Sequence, residues 1–425
     1  MLPGKLNSKF SLDILWNLAS FGLAGVVFIL TNTILLKAYS KDVVGVFNEV
    51  YAVYMILAQL AVFGLHLSVL YYIPRYSKRK AHSDVILTAS LLAALVLSGG
   101  LVGVAWLLRE VPGALMDSEG VKEAFQYAVW GLLFFSLNKV LIAFHNGFRR
   151  MKAVAVFQSL RIGGMLAVLV LLLWLETEPT FVVSILSFAE VILFVILSAY
   201  TLRFYTPAFG VRFIKWLIIH LRFGFRALFG NLLLDINTRV DVIMLGIFLD
   251  DGQVGIYSFA LAIAEGVIQV PVIFRNNINP IITKARDMER SAANIVNRLL
   301  RRNLIAFYKI IGALALVCIA LFPLGLWVLQ IEEHNTEYWV IFSILIGAVA
   351  TVAGYLPFQM VFNQLGKPAL QTYFILPVFC VNVVGNLIFI QLFGIYGAAM
   401  GTAISMISKA IFLRFMLRKY TDFRI

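Results

Sequence analysis

This chain has little charge for its length. Only 13% of its 425 residues are Asp, Glu, Lys or Arg, and 61% are hydrophobic, whereas a soluble domain is about a quarter charged. That balance excludes an ordinary soluble fold and points to an integral membrane protein. The two cysteines, Cys318 and Cys380, lie inside apolar runs, so no disulfide framework or thiolate metal site is expected. His66, His82, His145, His220 and His334 are scattered without ligand spacing. No Walker-type glycine loop is present, so ATP hydrolysis is not expected, and no cofactor is called for. No short apolar core with a small-residue cleavage site opens the chain. The run from about Ile14 to Leu36 is long enough to span a bilayer by itself. Large connections are missing too. On the acidic side the longest, about Leu108 to Glu123, holds no histidine and one arginine. A glycan polymerase or ligase, which must present catalytic groups to its sugar, is therefore a poor fit.

What fills the chain instead is a succession of apolar segments, about twelve of roughly 20–27 residues, the length that crosses a ~30 Å hydrocarbon core. The net charge of +13 is not a nucleic-acid footprint, because it is concentrated in alternate connections, the first outer loop with Lys37 and Lys41 against Asp42 being the exception. Arg75, Lys78, Arg79 and Lys80, then Arg149, Arg150 and Lys152, then Arg212, Lys215 and Arg222 form basic loops. Glu110, Asp117, Glu119 and Glu123, then Asp250 and Asp251, then Glu332, Glu333 and Glu337 form the others. The positive-inside rule places the basic set, and with it both termini, in the cytoplasm. The expected fold is all-α and integral to the cell (cytoplasmic or inner) membrane.

The two halves look related. Gly45-Val46-Phe47 and Gly255-Ile256-Tyr257 open equivalent spans 210 positions apart. Repeats in the same membrane orientation predict two six-helix lobes, 1–204 and 223–425. Between them, 205–222 carries Arg212, Lys215 and Arg222 on one helical face with apolar residues elsewhere. It is expected to be an interfacial linker helix on anionic headgroups.

Several spans nevertheless contain ionisable residues, which cost at least ~2.5–3.5 kcal/mol each at the bilayer centre unless water or a partner receives them. Arg161 lies near Gln158, and Lys139 beside Asn138. Arg226 is close enough to the cytoplasmic interface to snorkel as an alternative. In the seventh span Asn231, Asp235 and Arg239 fall four apart and stack on one face of a continuous helix, where Asp235 could pair with Arg239. Asp241 is rotated away and needs a partner on another span. Glu265, Gln269, Arg275, Asn276 and Asn277 follow in the eighth span, Glu190 lies in the sixth and Lys409 in the twelfth. The cations concentrate toward the cytoplasmic half, an arrangement that would draw in an anion.

The segment Arg239-Val-Asp241-Val-Ile-Met-Leu-Gly246, followed by Val254-Gly-Ile-Tyr257-Ser-Phe-Ala260, resembles the corresponding region of the Wzx-type polysaccharide flippases. These belong to the multidrug, oligosaccharidyl-lipid and polysaccharide exporter superfamily. Phe63-Gly-Leu65, Ile73-Pro74 and Gly394-Ile-Tyr-Gly397-Ala-Ala-Met-Gly401 extend the likeness along the chain.

The resemblance implies two six-helix bundles around a central cavity. It also implies movement of a polyprenyl-pyrophosphate-linked oligosaccharide from the cytoplasmic to the outer leaflet by alternating access, for surface polysaccharide biosynthesis. The partners it brings are the lipid-linked glycan, the bilayer, a polysaccharide polymerase and glycosyltransferases. In that setting Arg161, Arg239, Arg275, Lys409, Lys139 and Arg226 are the candidates for the pyrophosphate, with arginine suited to bidentate phosphate contact. Asn276, Asn277, Gln158 and Gln269 are candidates for the sugar. Asp235, Asp241, Glu265 and Glu190 either couple a proton or sodium ion or balance the arginines. The rival within the superfamily is a cation-coupled multidrug exporter, which favours an acidic cavity over the net-basic one expected here.

Overall fold

The computed structural model describes residues 8–210, 212–285, 290–331, 333–365 and 367–420, and within these the side chains of all but 8–19, 21, 230–231, 272–304, 306, 363–364 and 368. Every regular element among the described residues is helical. In hydrocarbon that is the economical solution, because a helix satisfies its backbone N–H and C=O groups within one segment.

By contacts the chain divides into two compact units, Met1–Ile236 and Asn237–Ile425. The first comprises α1 (Ser8–Ala38), α2 (Lys41–Val62), α3 (Leu65–Tyr76), α4 (Lys80–Leu107), α5 (Val111–Met116), α6 (Glu119–Val129), α7 (Gly131–Gly147), α8 (Met151–Trp174), α9 (Ile185–Thr201) and α10 (Phe213–Ile236). The second comprises α11 (Val240–Phe248), α12 (Asp251–Ala285), α13 (Arg290–Val328), α14 (Asn335–Val352), α15 (Val361–Gln364), α16 (Pro368–Phe393) and α17 (Ile395–Tyr420). Among the described residues ten helices are long and apolar enough to cross a membrane. The pair α6–α7, bent by 45°, makes an eleventh crossing, and the apolar stretch Gly22–Ala38 of α1 matches the remaining expected span.

The linker region departs from expectation. Residues 205–210 are not helical, and α10 then runs unbroken from Phe213 to Ile236. The separate interfacial helix of 205–222 is thus absent, and its residues form the first turns of a spanning helix. Part of the apolar set that looked like a membrane-surface stripe packs on protein: Trp216 and His220 are buried against the α3–α4 core of Leu65, Val69, Ile73 and Leu87, while Ile214 and Ile218 stay exposed. His220 Nδ1 lies 2.8 Å from the Ser68 hydroxyl, and its Nε2 3.1 Å from the Ile86 carbonyl. An amphipathic stripe reports only that one face is shielded from water, not whether lipid or protein shields it. The contact boundary accordingly falls at Ile236/Asn237, some way past the division inferred from the repeat.

Two glycines permit the closest approach within the first unit. The chain turns between α2 and α3 through left-handed Phe63 (φ 49°) and Gly64 (φ 68°). A Cβ on Gly64 would stand 2.9 Å from the Gly224 carbonyl of α10, and one on Gly224 would collide with the Phe63 carbonyl. The backbones meet there because neither carries a side chain.

Candidate functional site: paired charges in each unit

In the first unit the charged residues converge where α7, α8 and α9 pack together. Trp130 separates α6 from α7, and the bend exposes backbone groups that Ser187 of α9 satisfies. Its hydroxyl donates to the Tyr127 carbonyl (2.6 Å) and accepts from the Gly131 N–H (2.9 Å). One helical turn further along α9, Glu190 is buried. Arg161 of α8 meets its carboxylate through Nε at 2.7 Å and NH2 at 3.3 Å. Asn138 of α7 donates from Nδ2 to both Oε2 (2.8 Å) and the main-chain carbonyl of Glu190 (2.9 Å). Phe135 lies under both cations, with the Arg161 guanidinium 4.7 Å and the Lys139 ammonium 5.3 Å from the ring centroid. Two cations thus lie against one aromatic ring in a shielded site, one of them paired with a carboxylate, where charge-assisted bonds are strong.

In the second unit the expected continuous stacking of the seventh span does not hold. The helix ends at Ile236 and resumes at Val240, and Arg239 stands at the start of α11 with φ −132°. Asn237 and Thr238, poor helix formers, occupy the break. Its free backbone is met by Asn382 of α16, whose Nδ2 donates to the Asn237 carbonyl at 3.0 Å. The break turns Arg239 toward α12, where it makes a two-pronged contact with Glu265: NH1 to Oε1 at 3.2 Å and NH2 to Oε2 at 3.4 Å. Asp241, nearly fully buried, accepts from the Tyr257 hydroxyl at 2.5 Å and from the Thr402 hydroxyl at 3.2 Å through Oδ2. Its Oδ1 accepts from the Val242 N–H at 2.9 Å. Asn386, one turn beyond Asn382, donates to the Asn382 carbonyl and side-chain oxygens, both at 2.9 Å. Gly401 of α17 lets that seam close, since a Cβ there would be 3.0 Å from the Asn386 nitrogen.

The polysaccharide biosynthesis protein family has a sequence model that matches residues 8–273, more than half of the chain. The chain belongs to that family. Compared with curated proteins, its sequence finds no match. Its fold is similar to that of the lipid II flippase MurJ in an inward closed conformation, with a TM-score of 0.75 over 95% of this chain and 87% of that one at 16% identity. It is also similar to an inward-facing multidrug resistance MATE family transporter of the MOP superfamily, with a TM-score of 0.71, 14% identity and coverage of 93% and 94%. A MOP superfamily transporter from Pyrococcus furiosus gives a TM-score of 0.69 at 14% identity, covering 96% of this chain and 95% of that one. The fold is that of the MOP-superfamily transporters.

Placing the candidate residues of this polysaccharide biosynthesis protein on that fold changes their chemistry. Arg161 and Arg239 are not bare cations, because each is held by a carboxylate. The first-unit cluster sets Lys139 and Arg161 against Glu190, and the second sets Arg239 against Glu265 and Asp241. The expected net-basic site is thus, among the described residues, a set of cations matched by acids in each unit, with Asp235 and Glu190 both acting on Lys139. Gln158 is half-buried one turn before Arg161, and Gln269 half-buried one turn after Glu265. Arg226 is exposed on α10, on which Asp235 is half-buried. Lys409 lines, with Tyr355 and Gln359, a recess of about 10 Å³, room for a water rather than a sugar. The side chains of Arg275, Asn276 and Asn277 lie outside the described residues. Asn138, Tyr257, Asn382, Asn386 and Thr402 escaped sequence reasoning as site residues. The only signal was an asparagine or hydroxyl inside an apolar run, which is common in helix packing.

Proposed function

We propose that this chain is a flippase that carries a polyprenyl-pyrophosphate-linked oligosaccharide from the cytoplasmic to the outer leaflet of the cell membrane. Both termini are in the cytoplasm, and the two units alternate access to the membrane faces. The observation that carries this proposal is the cluster of Arg161, Lys139, Asn138 and Glu190, in a chain whose family is named for polysaccharide biosynthesis. A pyrophosphate crossing hydrocarbon must exchange its hydration for fixed donors. Glu190 and Asn138 hold the Arg161 fork ready, and Lys139 adds a second positive charge. An arriving phosphate would compete with Glu190 for Arg161. The site would then hold its ligand firmly enough to desolvate it and loosely enough to release it. The half-buried amides Gln158 and Gln269 offer donors and acceptors to sugar hydroxyls.

The acidic cluster of the second unit suits a coupling cation. Asp241, with Tyr257 and Thr402 around it, is a buried oxygen-rich site, and Glu265 shares its charge with Arg239. A proton or sodium ion there would bias the transport cycle. The same acids, with the fold likeness to a multidrug transporter, support the second reading of a cation-coupled drug exporter.

Reconstitution in vesicles tests both. Labelled lipid-linked oligosaccharide should become accessible on the opposite leaflet with the wild-type chain and stay where it began with R161A/K139A. Unchanged translocation by that variant would refute the phosphate role. Export of cationic dyes without glycan movement would favour the drug exporter.

A further inference from the structure

Arg150, between α7 and α8, has no part in the charge clusters and is half-buried. Its guanidinium lies 3.6 Å over the Phe204 ring and 5.2 Å from that of Phe148. Its NH1 stands 3.3 Å from Nδ1 of His145. His145, fully buried in the last turn of α7, is fixed in turn. The Thr201 hydroxyl gives its one proton to the Leu197 carbonyl at 2.7 Å, so toward His145 Nε2, 2.9 Å away, it can only accept. The ring proton is therefore on Nε2, and Nδ1 is the bare nitrogen that accepts from Arg150. The imidazole is neutral.

Every neighbour that holds Arg150 is thus uncharged. Arg161 and Arg239 are each held by a carboxylate. Among the described residues no carboxylate is paired with Arg150. Two aromatic faces and an imidazole orient the guanidinium without neutralising it, and His145 takes only one of its five N–H donors.

The surroundings deepen that imbalance. Gly147 sets the end of α7 against Ile73 of α3, and Arg212, just before α10, reaches His82 of α4 at 2.8 Å. At this end of the unit, residues 71–84, 146–153 and 203–222 hold eleven Lys and Arg and one acid, Asp84. Asp84 is itself buried, where it accepts from the Thr206 hydroxyl at 2.8 Å. On the helices that flank Arg150, Val156 of α8, Ile196 of α9 and Leu202 just after α9 are exposed. A ligand that suits this place has one anionic group for the guanidinium and an apolar body for the surface beside it.

We propose that Arg150 on its aromatic platform is a headgroup site for an anionic phospholipid. The phosphate takes the guanidinium, and the acyl chains lie along the exposed side chains of α8 and α9. Arginine matches two phosphate oxygens at once. A guanidinium already oriented by its neighbours gives up little further side-chain entropy when the phosphate arrives. The site is separate from the transport function and does not depend on what is carried.

The test uses the full chain in detergent and native mass spectrometry, with phosphatidylglycerol and phosphatidylcholine of the same acyl chains. Both carry a phosphate, but choline cancels its charge and would have to sit among cations. Wild type should retain one phosphatidylglycerol in preference to phosphatidylcholine. R150A should weaken that binding about 10–100-fold, as expected for losing hydrogen bonds to a charged group, while R75A should leave it within about twofold. Arg75 is the matched control, an exposed cation of the same end that rests on Tyr71. If R150A does not fold, F204L keeps the charge and removes its platform, and should weaken binding about two- to fivefold.

Wild-type retention by R150A, or by F204L in its place, overturns the proposal, as does equal retention of the two lipids. A merely structural Arg150 would lower the unfolding temperature of R150A and leave the ratio of the two lipids unchanged, which also overturns it. Displacement of phosphatidylglycerol by inorganic phosphate at equal concentration would make this a site for free phosphate instead. Preferential retention of polyprenyl pyrophosphate at equal concentration would make it an entry point for the transport substrate, and the phospholipid assignment would fall.

Discussion

Glu190→Gln perturbs the first-unit cluster with almost no change of shape. Glu190 is 6% exposed at its side chain and Arg161 16%, so neither charge has ready access to water when its partner is lost. The substitution removes two charge-assisted contacts to Arg161, at 2.7 and 3.3 Å, and leaves Arg161 and Lys139, both against Phe135, without that carboxylate. Breaking a buried pair from one side costs ~3–5 kcal/mol, chiefly because a charge is left uncompensated. For a unit of this size that corresponds to a fall of roughly 6–20 °C in unfolding temperature. Replacing both partners, as in R161M/E190M, removes the orphaned charge and should recover most of that loss. The assay is thermal unfolding of purified protein, followed by retention of the monodisperse species, for wild type, both single variants and the pair. An E190Q protein as stable as wild type, or a double variant whose loss equals the sum of the singles, would show that the pair is uncoupled and refute the reasoning. Under the proposed function, E190Q should also bind polyprenyl pyrophosphate more tightly, because the phosphate no longer displaces a carboxylate, and should release it more slowly.

Three further outcomes follow from the geometry. Asp241→Asn should abolish any dependence of translocation on a sodium or proton gradient, while Tyr257→Phe, which removes one hydroxyl donor and leaves the carboxylate, should weaken it; vesicle transport with and without the gradient checks both. Gly224→Ala drives a methyl into the Phe63 carbonyl and should destabilise the first unit by about 1–3 kcal/mol, read as a lower unfolding temperature. Trp339→Phe keeps the ring but orphans the Ile319 carbonyl, at a cost of about 1–3 kcal/mol if water cannot reach it; thermal unfolding of the variant measures that loss.

Hydropathy and loop charge alone determined the membrane class, the positions of the spans and the short list of ionisable residues inside them. Each depends on composition over a window matched to the bilayer, and lipid makes that signal strong. Partnership was not legible in the same way. Glu190 is 29 residues from Arg161, and Thr402 is 161 residues from Asp241. Helical periodicity says which face a residue occupies, never which helix that face meets. The break at Asn237–Arg239 was hidden for a related reason: a four-residue spacing of polar groups is the same on a continuous helix and across a turn. Only tertiary packing decided that Arg239 reaches Glu265, that Trp216 and His220 are buried against protein while Ile214 and Ile218 stay exposed, and that Arg161 meets Glu190. Such choices are set by helix crossings and by the need to satisfy each buried charge and freed carbonyl within hydrogen-bond distance.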